Sequence, residues 1–319
     1  MKENNMKPKV SVVIPCNGYE RYILTAVKSV LKIKDISKEI VIVLYGDSAE
    51  TVKISKLKKN KEIKIFKFYG KSIQMARNIG ICCSMGSVVI PLDADDIIIT
   101  FPSNSSYLNK AYTLLMNNAN LAFITGISYM FNDKIGITSA SYPVNEKDVI
   151  FKSHVKTSIA FRKSDFVNDC FYYPDILKWQ DWSFAVSLLN HRFKNHKNND
   201  IYFINDVVHG YRVYNKGTIS KSNVSEYEMV KRTIFHEPEI YRHYLRGYSL
   251  TKMANIILSS KPTLLEDILG IASIDKKRAE KFITRLPNNY YQIFNSEQIS
   301  INKTVYKELF PHNYYCKKY

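Results

Sequence analysis

Residues 88–96 read Val-Val-Ile-Pro-Leu-Asp-Ala-Asp-Asp, an apolar run that passes directly into three acidic residues. A short continuous apolar run is typical of a strand buried on both faces of a parallel sheet, and we expect a strand over 87–92. Ligands of open parallel sheets bind beyond the carboxyl ends of the strands. The stretch therefore predicts an α/β fold and the edge of the sheet that carries the site.

The sequence before this stretch alternates between two patterns. Continuous apolar runs predict strands, and apolar residues at helical spacing predict helices. We expect strands over 10–15, 39–44 and 63–68 and helices over 20–34 and 72–84. This alternation predicts a doubly wound sheet whose first strands are parallel.

The sequence after it changes character near residue 222. Up to that point we expect helices near 106–117 and 182–189, a strand and hairpin over 121–137, and strands over 158–161 and 201–214. Beyond it we expect helices over 225–246, 249–259, 263–271 and 276–285. The division predicts an α/β domain over 1–221 and a helical C-terminal extension over 222–319.

Composition narrows the class of protein. The net charge of +17 could favour binding to nucleic acid, to an anionic membrane face or to phosphorylated small molecules, or it could only keep the surface solvated. The lysines are spread along the chain without the signature of a nucleic-acid-binding fold, so we expect no nucleic-acid partner. Five cysteines without a CxxC spacing indicate neither a disulfide framework nor a zinc cluster.

The hydropathy pattern bears on location. Residues 1–9 are polar, and no run of about 18 apolar residues occurs in the sequence. We therefore expect a cytoplasmic protein that can associate peripherally with the inner face of an anionic plasma membrane through its basic surface.

The acid cluster indicates a metal. Asp93, Asp95 and Asp96 would repel one another and raise their own pKa values unless a cation lay between them. Mg²⁺ or Mn²⁺ accepts one or two carboxylates and completes its shell with water and phosphate oxygens, so the cluster could anchor a diphosphate. The alternative is a solvated acidic turn that caps the next helix.

Four segments together resemble a known family. Residues 10–15 read Val-Ser-Val-Val-Ile-Pro, 75–80 Met-Ala-Arg-Asn-Ile-Gly, 91–96 Pro-Leu-Asp-Ala-Asp-Asp and 179–182 Trp-Gln-Asp-Trp. Over roughly residues 9–220 the chain resembles the family 2 inverting glycosyltransferases. The resemblance implies a GT-A fold: a doubly wound mixed sheet with a Rossmann-like nucleotide-binding half, here followed by the helical C-terminal extension.

The resemblance also implies roles for single residues. Asp95 would ligate Mn²⁺ or Mg²⁺, Asp93 would hold the ribose or share the metal, and Asp181 would be the general base. The donor would be a nucleoside diphosphate sugar, and the acceptor a glycan or a lipid-linked hydroxyl. The donor-binding positions that it implies are Pro15, Asn17, Asp47, Arg77, Asp93 and Arg212.

This sequence departs from the family pattern in three places. After the second strand, Tyr45 and Asp47 stand where an acidic pair usually recognises the base, so a UDP-sugar is expected but the base is open. Gln180 replaces the usual Glu before the general base. Tyr214 occupies the usual His position, which leaves His209 as a weaker metal-ligand candidate whose structural role is favoured.

Other functions remain open from sequence alone. Asp181 could simply be the N-cap of the following helix, a common position for Asp. A nucleotidyltransferase would also use aspartates and a metal, although residues 15–21 contain only one glycine of the phosphate loop it needs. A nucleotide-sugar-binding protein without turnover and a basic nucleic-acid-binding module are the remaining alternatives.

Overall fold

The computed structural model describes residues 7–46, 57, 60–100, 105–151, 155–166, 171–214 and 223–283. In these ranges the strands are β1 (Val10–Cys16), β2 (Lys38–Tyr45), β3 (Ile63–Phe68), β4 (Val88–Pro91), β5 (Ile97–Ile98), β6 (Leu121–Asn132), β7 (Gly136–Ile137), β8 (Ala160–Arg162) and β9 (Asp200–Val213). The helices are α1 (Glu20–Leu31), α2 (Ile73–Cys83), α3 (Tyr107–Asn117), α4 (Glu146–Phe151), α5 (Gln180–Lys194), α6 (Glu226–His236), α7 (Pro238–Tyr244), α8 (Leu250–Ser259), α9 (Leu264–Ile274) and α10 (Lys276–Ile283).

The strands form one mixed sheet in the order β3-β2-β1-β4-β8-β6-β9-β5, with β7 paired to β6. The first half, β3 to β4, is parallel, as the alternation of strands and helices predicts. The second half mixes directions, because β8 runs antiparallel to both β4 and β6 while β9 runs parallel to β6. The prediction of an α/β fold with a mixed sheet is therefore confirmed.

The sheet separates two hydrophobic layers. Alternate residues of β1 point to opposite faces, so Val12 and Ile14 pack with α1 and α3 while Val13 packs on the other face. The second face is covered by α2, α5 and the helices after residue 225. Because both faces are covered, the strands read as continuous apolar runs.

Gly80 sets how closely α2 approaches the sheet. A Cβ atom on Gly80 would lie 2.4 Å from Cγ1 of Val13 on β1, so only glycine fits at this contact. At its start the helix is capped by Ser72, whose side chain accepts a hydrogen bond from the Met75 N–H. These two contacts fix the helix turn that carries Arg77.

The helices after residue 225 share the core of the α/β part. Val230 and Ile234 of α6 belong to the same buried cluster as Val13 and Trp182. Where one helix over 225–246 is expected, the chain forms α6 and α7, because Pro238 starts the second helix and cannot continue the first. The domain boundary near residue 222 stays a prediction.

The described helices were also compared with the length needed to cross a bilayer. None of those between residues 20 and 283 is both long and apolar enough to do so.

A buried ion cluster joins β8, α5 and the start of β9. Asp165 is 1% exposed and accepts hydrogen bonds from Arg192 at 2.6 Å and from Lys197 at 3.0 Å. Burial raises the pKa of Asp165, but Lys197 and Arg192 outweigh it and hold the pKa below its usual range. Arg192 also donates to the carbonyls of Ala119 and Asn120, which ties α5 to the sheet.

Replacing Asp165 by asparagine is expected to lower the free energy of unfolding by about 3–5 kcal/mol, because Arg192 would remain buried without its counter-charge. Urea denaturation followed by circular dichroism measures this. The matched control is Asp206→Asn, which breaks the partly exposed pair with Lys110 and should cost about 0–1 kcal/mol. Equal losses in the two variants would contradict the assignment.

Candidate functional site

A pocket of about 310 Å³ opens at the carboxyl ends of the parallel strands. The loop after β4, the start of α5 and the end of β9 form its walls. A cavity of this size is at the lower end of the range for small-molecule sites. Its lining residues are Pro15, Asn17, Tyr19, Tyr45, Ile73, Arg77, Asp93, Ala94, Asp95, Val155, Lys178, Trp179, Gln180, Asp181, Trp182, Tyr211, Arg212 and Tyr214.

The structure brings most of the predicted site residues to this pocket. The nucleotide-binding candidates of the first loop, Pro15 and Asn17, lie there with Arg77 and Arg212. The acids Asp93, Asp95 and Asp181 line the same cavity. Asp47 lies outside the described residues. The roles of all these residues remain predictions.

Arg77 connects the acids of the pocket. Its side chain is 3% exposed, and its Nη2 lies 2.7 Å from Oδ1 of Asp93. Its Nη1 donates to Oε1 of Gln180 at 2.7 Å and lies 3.7 Å from Oδ1 of Asp181. Burial lowers the pKa of Arg77, but the charges of Asp93 and Asp181 outweigh burial and raise it. The guanidinium therefore holds both acids in place, and its nucleotide-binding role stays a prediction.

Asp181 lies in the first turn of α5, but it is not the N-cap. The helix begins at Gln180, and Trp179 occupies the N-cap in the left-handed conformation, with φ 59° and ψ 35°. The Asp181 carboxylate accepts a hydrogen bond from the Thr157 hydroxyl at 3.0 Å instead of capping the helix. The N-cap alternative is therefore wrong. Left-handed backbone at a tryptophan is strained, and such residues cluster at functional sites.

The environment of Asp181 suits a proton acceptor. Its side chain is 28% exposed at the pocket. Burial raises its pKa, Arg77 opposes that shift, and Asp93 adds to it. A carboxylate with a raised pKa accepts a proton more readily than an ordinary aspartate.

Asp95 is the carboxylate best placed for a cation. Burial first, and then the charges of Asp96 and Asp93, raise its pKa to about 7. The Tyr214 hydroxyl, from the residue in the family's His position, is near enough to Asp95 to oppose this rise in its pKa. In the part of the chain that the structure describes, no three His, Cys, Asp or Glu side chains are placed to share one ion. This donor set fits Mg²⁺ or Mn²⁺, which need only one or two carboxylates when phosphate supplies other ligands.

Asp96 and His209 have a structural role. His209 is 2% exposed; its Nε2 lies 3.0 Å from Oδ2 of Asp96 and its Nδ1 3.0 Å from the Ser128 hydroxyl. The other oxygen of Asp96 accepts the backbone N–H of Arg212 at 2.8 Å. Both ring nitrogens are thus occupied by protein groups, and the metal-ligand interpretation of His209 is corrected. These hydrogen bonds attach the loop of residues 93–96 to β6 and β9.

Arg212 presents a fixed cation to the same end of the pocket. Its Nε donates to the backbone carbonyl of Asp95 at 2.9 Å. Its guanidinium lies 4.5 Å from the ring centroid of Tyr22 and 4.4 Å from that of Phe131. Stacking on aromatic faces holds the planar group without neutralising it, which suits recognition of phosphate.

Several residues of the site could not be selected from the sequence. Thr157 touches two of the acids but belongs to no recognised motif. Tyr19 and Tyr211 also line the pocket. Tyrosines are abundant throughout the chain, so the residue type does not distinguish these two positions. Trp182 packs in the core as expected, with its ring N–H bonded to the Val149 carbonyl at 2.7 Å.

Comparisons with known proteins agree with this geometry. Residues 11–100 match the family model Glycosyl transferase family 2. A search of curated proteins gives no significant match.

Solved structures of S. aureus TarS have the same fold. The structure of residues 1–349 in complex with UDP-GlcNAc is 18% identical, with a TM-score of 0.59 over 79% of this chain and 71% of that one. The UDP complex is also 18% identical, with a TM-score of 0.57 over 79% of this chain and 70% of that one. The longer TarS structure is 15% identical with a TM-score of 0.54, over 79% of this chain and 42% of that one.

The fold, the acids at the strand ends and the matched segment lead to one conclusion: the chain has the GT-A fold, and its residues 11–100 match the model of the family 2 glycosyltransferases.

Proposed function

We propose that the chain transfers a sugar, with inversion, from a UDP-sugar to a hydroxyl of a glycan or a lipid-linked acceptor. The observation that carries this proposal is the meeting of Asp181 with Asp93 and Asp95 in one pocket. One end can hold a diphosphate and the other a proton acceptor. UDP and UDP-GlcNAc bound to TarS, which shares the fold, support uridine as the base.

Asp181 would act as the general base. Its carboxylate takes the proton of the acceptor hydroxyl while the acceptor oxygen bonds to the anomeric carbon. The bond between that carbon and the diphosphate oxygen breaks, and its electron pair leaves with the diphosphate. Attack from the face opposite the leaving group inverts the anomeric configuration. Arg77 keeps Asp181 close to the donor end without removing its access to the pocket.

The leaving diphosphate needs positive charge. Asp95, with Asp93 beside it, would hold Mn²⁺ or Mg²⁺, which when bound supplies Lewis-acid stabilisation of the departing diphosphate. Arg212 adds a guanidinium already oriented by Tyr22, Phe131 and the Asp95 carbonyl. A cation that is oriented before the reaction loses little freedom when it binds phosphate.

A nucleotidyltransferase and a binding protein without turnover are the other functions that such a pocket could serve. Neither needs a carboxylate in the pocket that can take the proton of an acceptor hydroxyl, whereas sugar transfer does, and Asp181 lines this pocket. Nucleic-acid binding would leave the buried Arg77 network without a purpose. The net charge of +17 supports a peripheral contact with an anionic membrane, where a lipid-linked acceptor would lie.

UDP and UDP-GlcNAc are expected to stabilise the protein only when Mn²⁺ is present, because the cation joins Asp95 to the diphosphate. At a ligand concentration 100 times Kd the gain is about 2.7 kcal/mol, readable as a rise in Tm. Asp95→Asn should lose the Mn²⁺-dependent part, while Asp206→Asn on the surface should keep it. The same rise in Asp95→Asn would count against the metal site, and a larger rise with GDP or CDP would exclude uridine.

Asp181→Asn is expected to lower transfer by about 10²- to 10⁴-fold while it leaves UDP and Mn²⁺ affinity near that of the wild type, because an amide cannot take the acceptor's proton. UDP release from UDP-sugars with and without acceptor measures transfer, and calorimetry measures binding. Asp175→Asn, on the loop before α5 and bonded to His236, is the control. Normal transfer by Asp181→Asn would refute the general base.

A further inference from the structure

Thr157 lies between the two acids that serve opposite ends of the pocket. Its hydroxyl oxygen is 3.2 Å from Oδ2 of Asp93 and 3.0 Å from Oδ2 of Asp181. The side chain is 9% exposed, so water competes little for these contacts. Arg77 bridges the same two acids from the other atoms of their carboxylates, through Oδ1 of each. One charged group and one hydroxyl thus join Asp93 to Asp181.

The hydroxyl is held on both sides along the chain. Lys156 donates to the Gly126 carbonyl at 3.1 Å and to the Ser141 hydroxyl at 2.7 Å. The carbonyl of Ser158 accepts a hydrogen bond from the buried Tyr107 hydroxyl at 2.7 Å. Neighbours anchored in this way leave the Thr157 backbone little freedom. The fold therefore fixes the position of the hydroxyl between the two acids.

The contact falls on the reactive oxygen of Asp181. Oδ1 of Asp181 is buried and, among the described residues, has no hydrogen-bond partner. Because the side chain is nevertheless 28% exposed, the oxygen available to an acceptor is Oδ2, the one that Thr157 contacts. A hydrogen bond to one lone pair of Oδ2 fixes the direction of the other, which must receive the acceptor's proton.

A hydroxyl has only one hydrogen to donate, and two ionised carboxylates can only accept. Before transfer, Asp93 and Asp181 therefore compete for the Thr157 hydrogen. When the acceptor O–H bond breaks and its proton moves to Oδ2 of Asp181, one anion disappears and the hydrogen can turn fully to Asp93. The contact is thus more favourable after proton transfer than before it. Interactions that strengthen toward the transition state raise kcat, whereas equal binding of both states lowers only KM.

We propose that Thr157 is a positioning residue of the transfer reaction, which aims Oδ2 of Asp181 at the acceptor and moves its hydroxyl hydrogen to Asp93 as Asp181 is protonated. The proposal rests on the proposed function, because it takes Asp181 as the general base. Arg77 contacts Oδ1 of each acid, whereas this step takes place at Oδ2 of each.

Thr157→Val and Thr157→Ser test the proposal. Valine removes the hydrogen with little change of shape, and serine keeps the hydroxyl. UDP release from UDP-GlcNAc in the presence of Mn²⁺ gives kcat and KM, and calorimetry with UDP and Mn²⁺ gives donor-site affinity. We expect Thr157→Val to lower kcat by about tenfold or more with KM and UDP affinity within about twofold, and Thr157→Ser to stay within about threefold of the wild type.

Two controls make the result specific. Thr125→Val makes the same change on β6, outside the pocket lining, and should leave kcat unchanged. Thermal melts of each variant confirm folding. A normal kcat in Thr157→Val, an equal loss in Thr157→Ser, or a loss of UDP affinity that matches the loss of kcat would overturn the Thr157 proposal alone. A wild type that releases no UDP from UDP-sugars, or an active Asp181→Asn variant, would overturn the proposed function and this proposal with it.

Discussion

A single buried guanidinium holds together carboxylates from distant parts of the chain. Arg77 comes from α2, Asp93 from the loop after β4 and Asp181 from the start of α5. The guanidinium nevertheless lies within 3.7 Å of a carboxylate oxygen of each acid. Each of these groups is costly to bury alone, and removal of one partner from such a set leaves an uncompensated charge. The architecture of the pocket therefore depends on this contact, because it ties the loop after β4 to the helix that carries Asp181.

Gln180 is understandable in the same terms. The family usually has a glutamate at this position. The side-chain oxygen of Gln180 accepts a hydrogen bond from Arg77 at 2.7 Å. A third carboxylate would share one cation with Asp93 and Asp181 and would raise their pKa values further. A neutral amide satisfies the guanidinium without that charge. The substitution thus preserves the geometry of the site while it leaves Asp181 as the anion that Arg77 must orient at the acceptor end.

The helices beyond residue 225 contribute to the core, and side chains from this part of the chain contact residues of the pocket wall. Glu226, in the first turn of α6, lies 3.0 Å from the ammonium of Lys178 and also contacts Lys261. The Lys261 ammonium in turn lies 4.1 Å from the ring centroid of Trp179. This chain of contacts supports the strained tryptophan beside Asp181. The C-terminal helices are therefore positioned to influence the acceptor end, which ordinary packing on the back of the sheet would not do.

Local patterns predicted the elements well where a single physical rule dominates. Buried parallel strands show continuous apolar runs, and β1, β2 and β4 lie where those runs occur, whereas the edge strand β3 alternates with lysines. The break between α6 and α7 shows the limit of periodicity, because Pro238 ends a helix whose apolar spacing continues through it. The acids of residues 93–96 were visible in sequence, but their separate tasks were not. Asp93 pairs with Arg77, Asp95 meets Tyr214 and Asp96 meets His209, and only their different partners distinguish them.

Three features could be predicted from the sequence: the class of fold, the edge of the sheet that carries the site, and the residue types that could bind a diphosphate and accept a proton. These follow from hydrophobic periodicity and from the chemistry of carboxylates, both of which are written in neighbouring residues. Only the tertiary structure decided that His209 is buried against Asp96, that Asp181 is not an N-cap and that Thr157 stands between two acids. Contacts between residues separated by 24 to 113 positions fix these points, and no local pattern in the sequence encodes them.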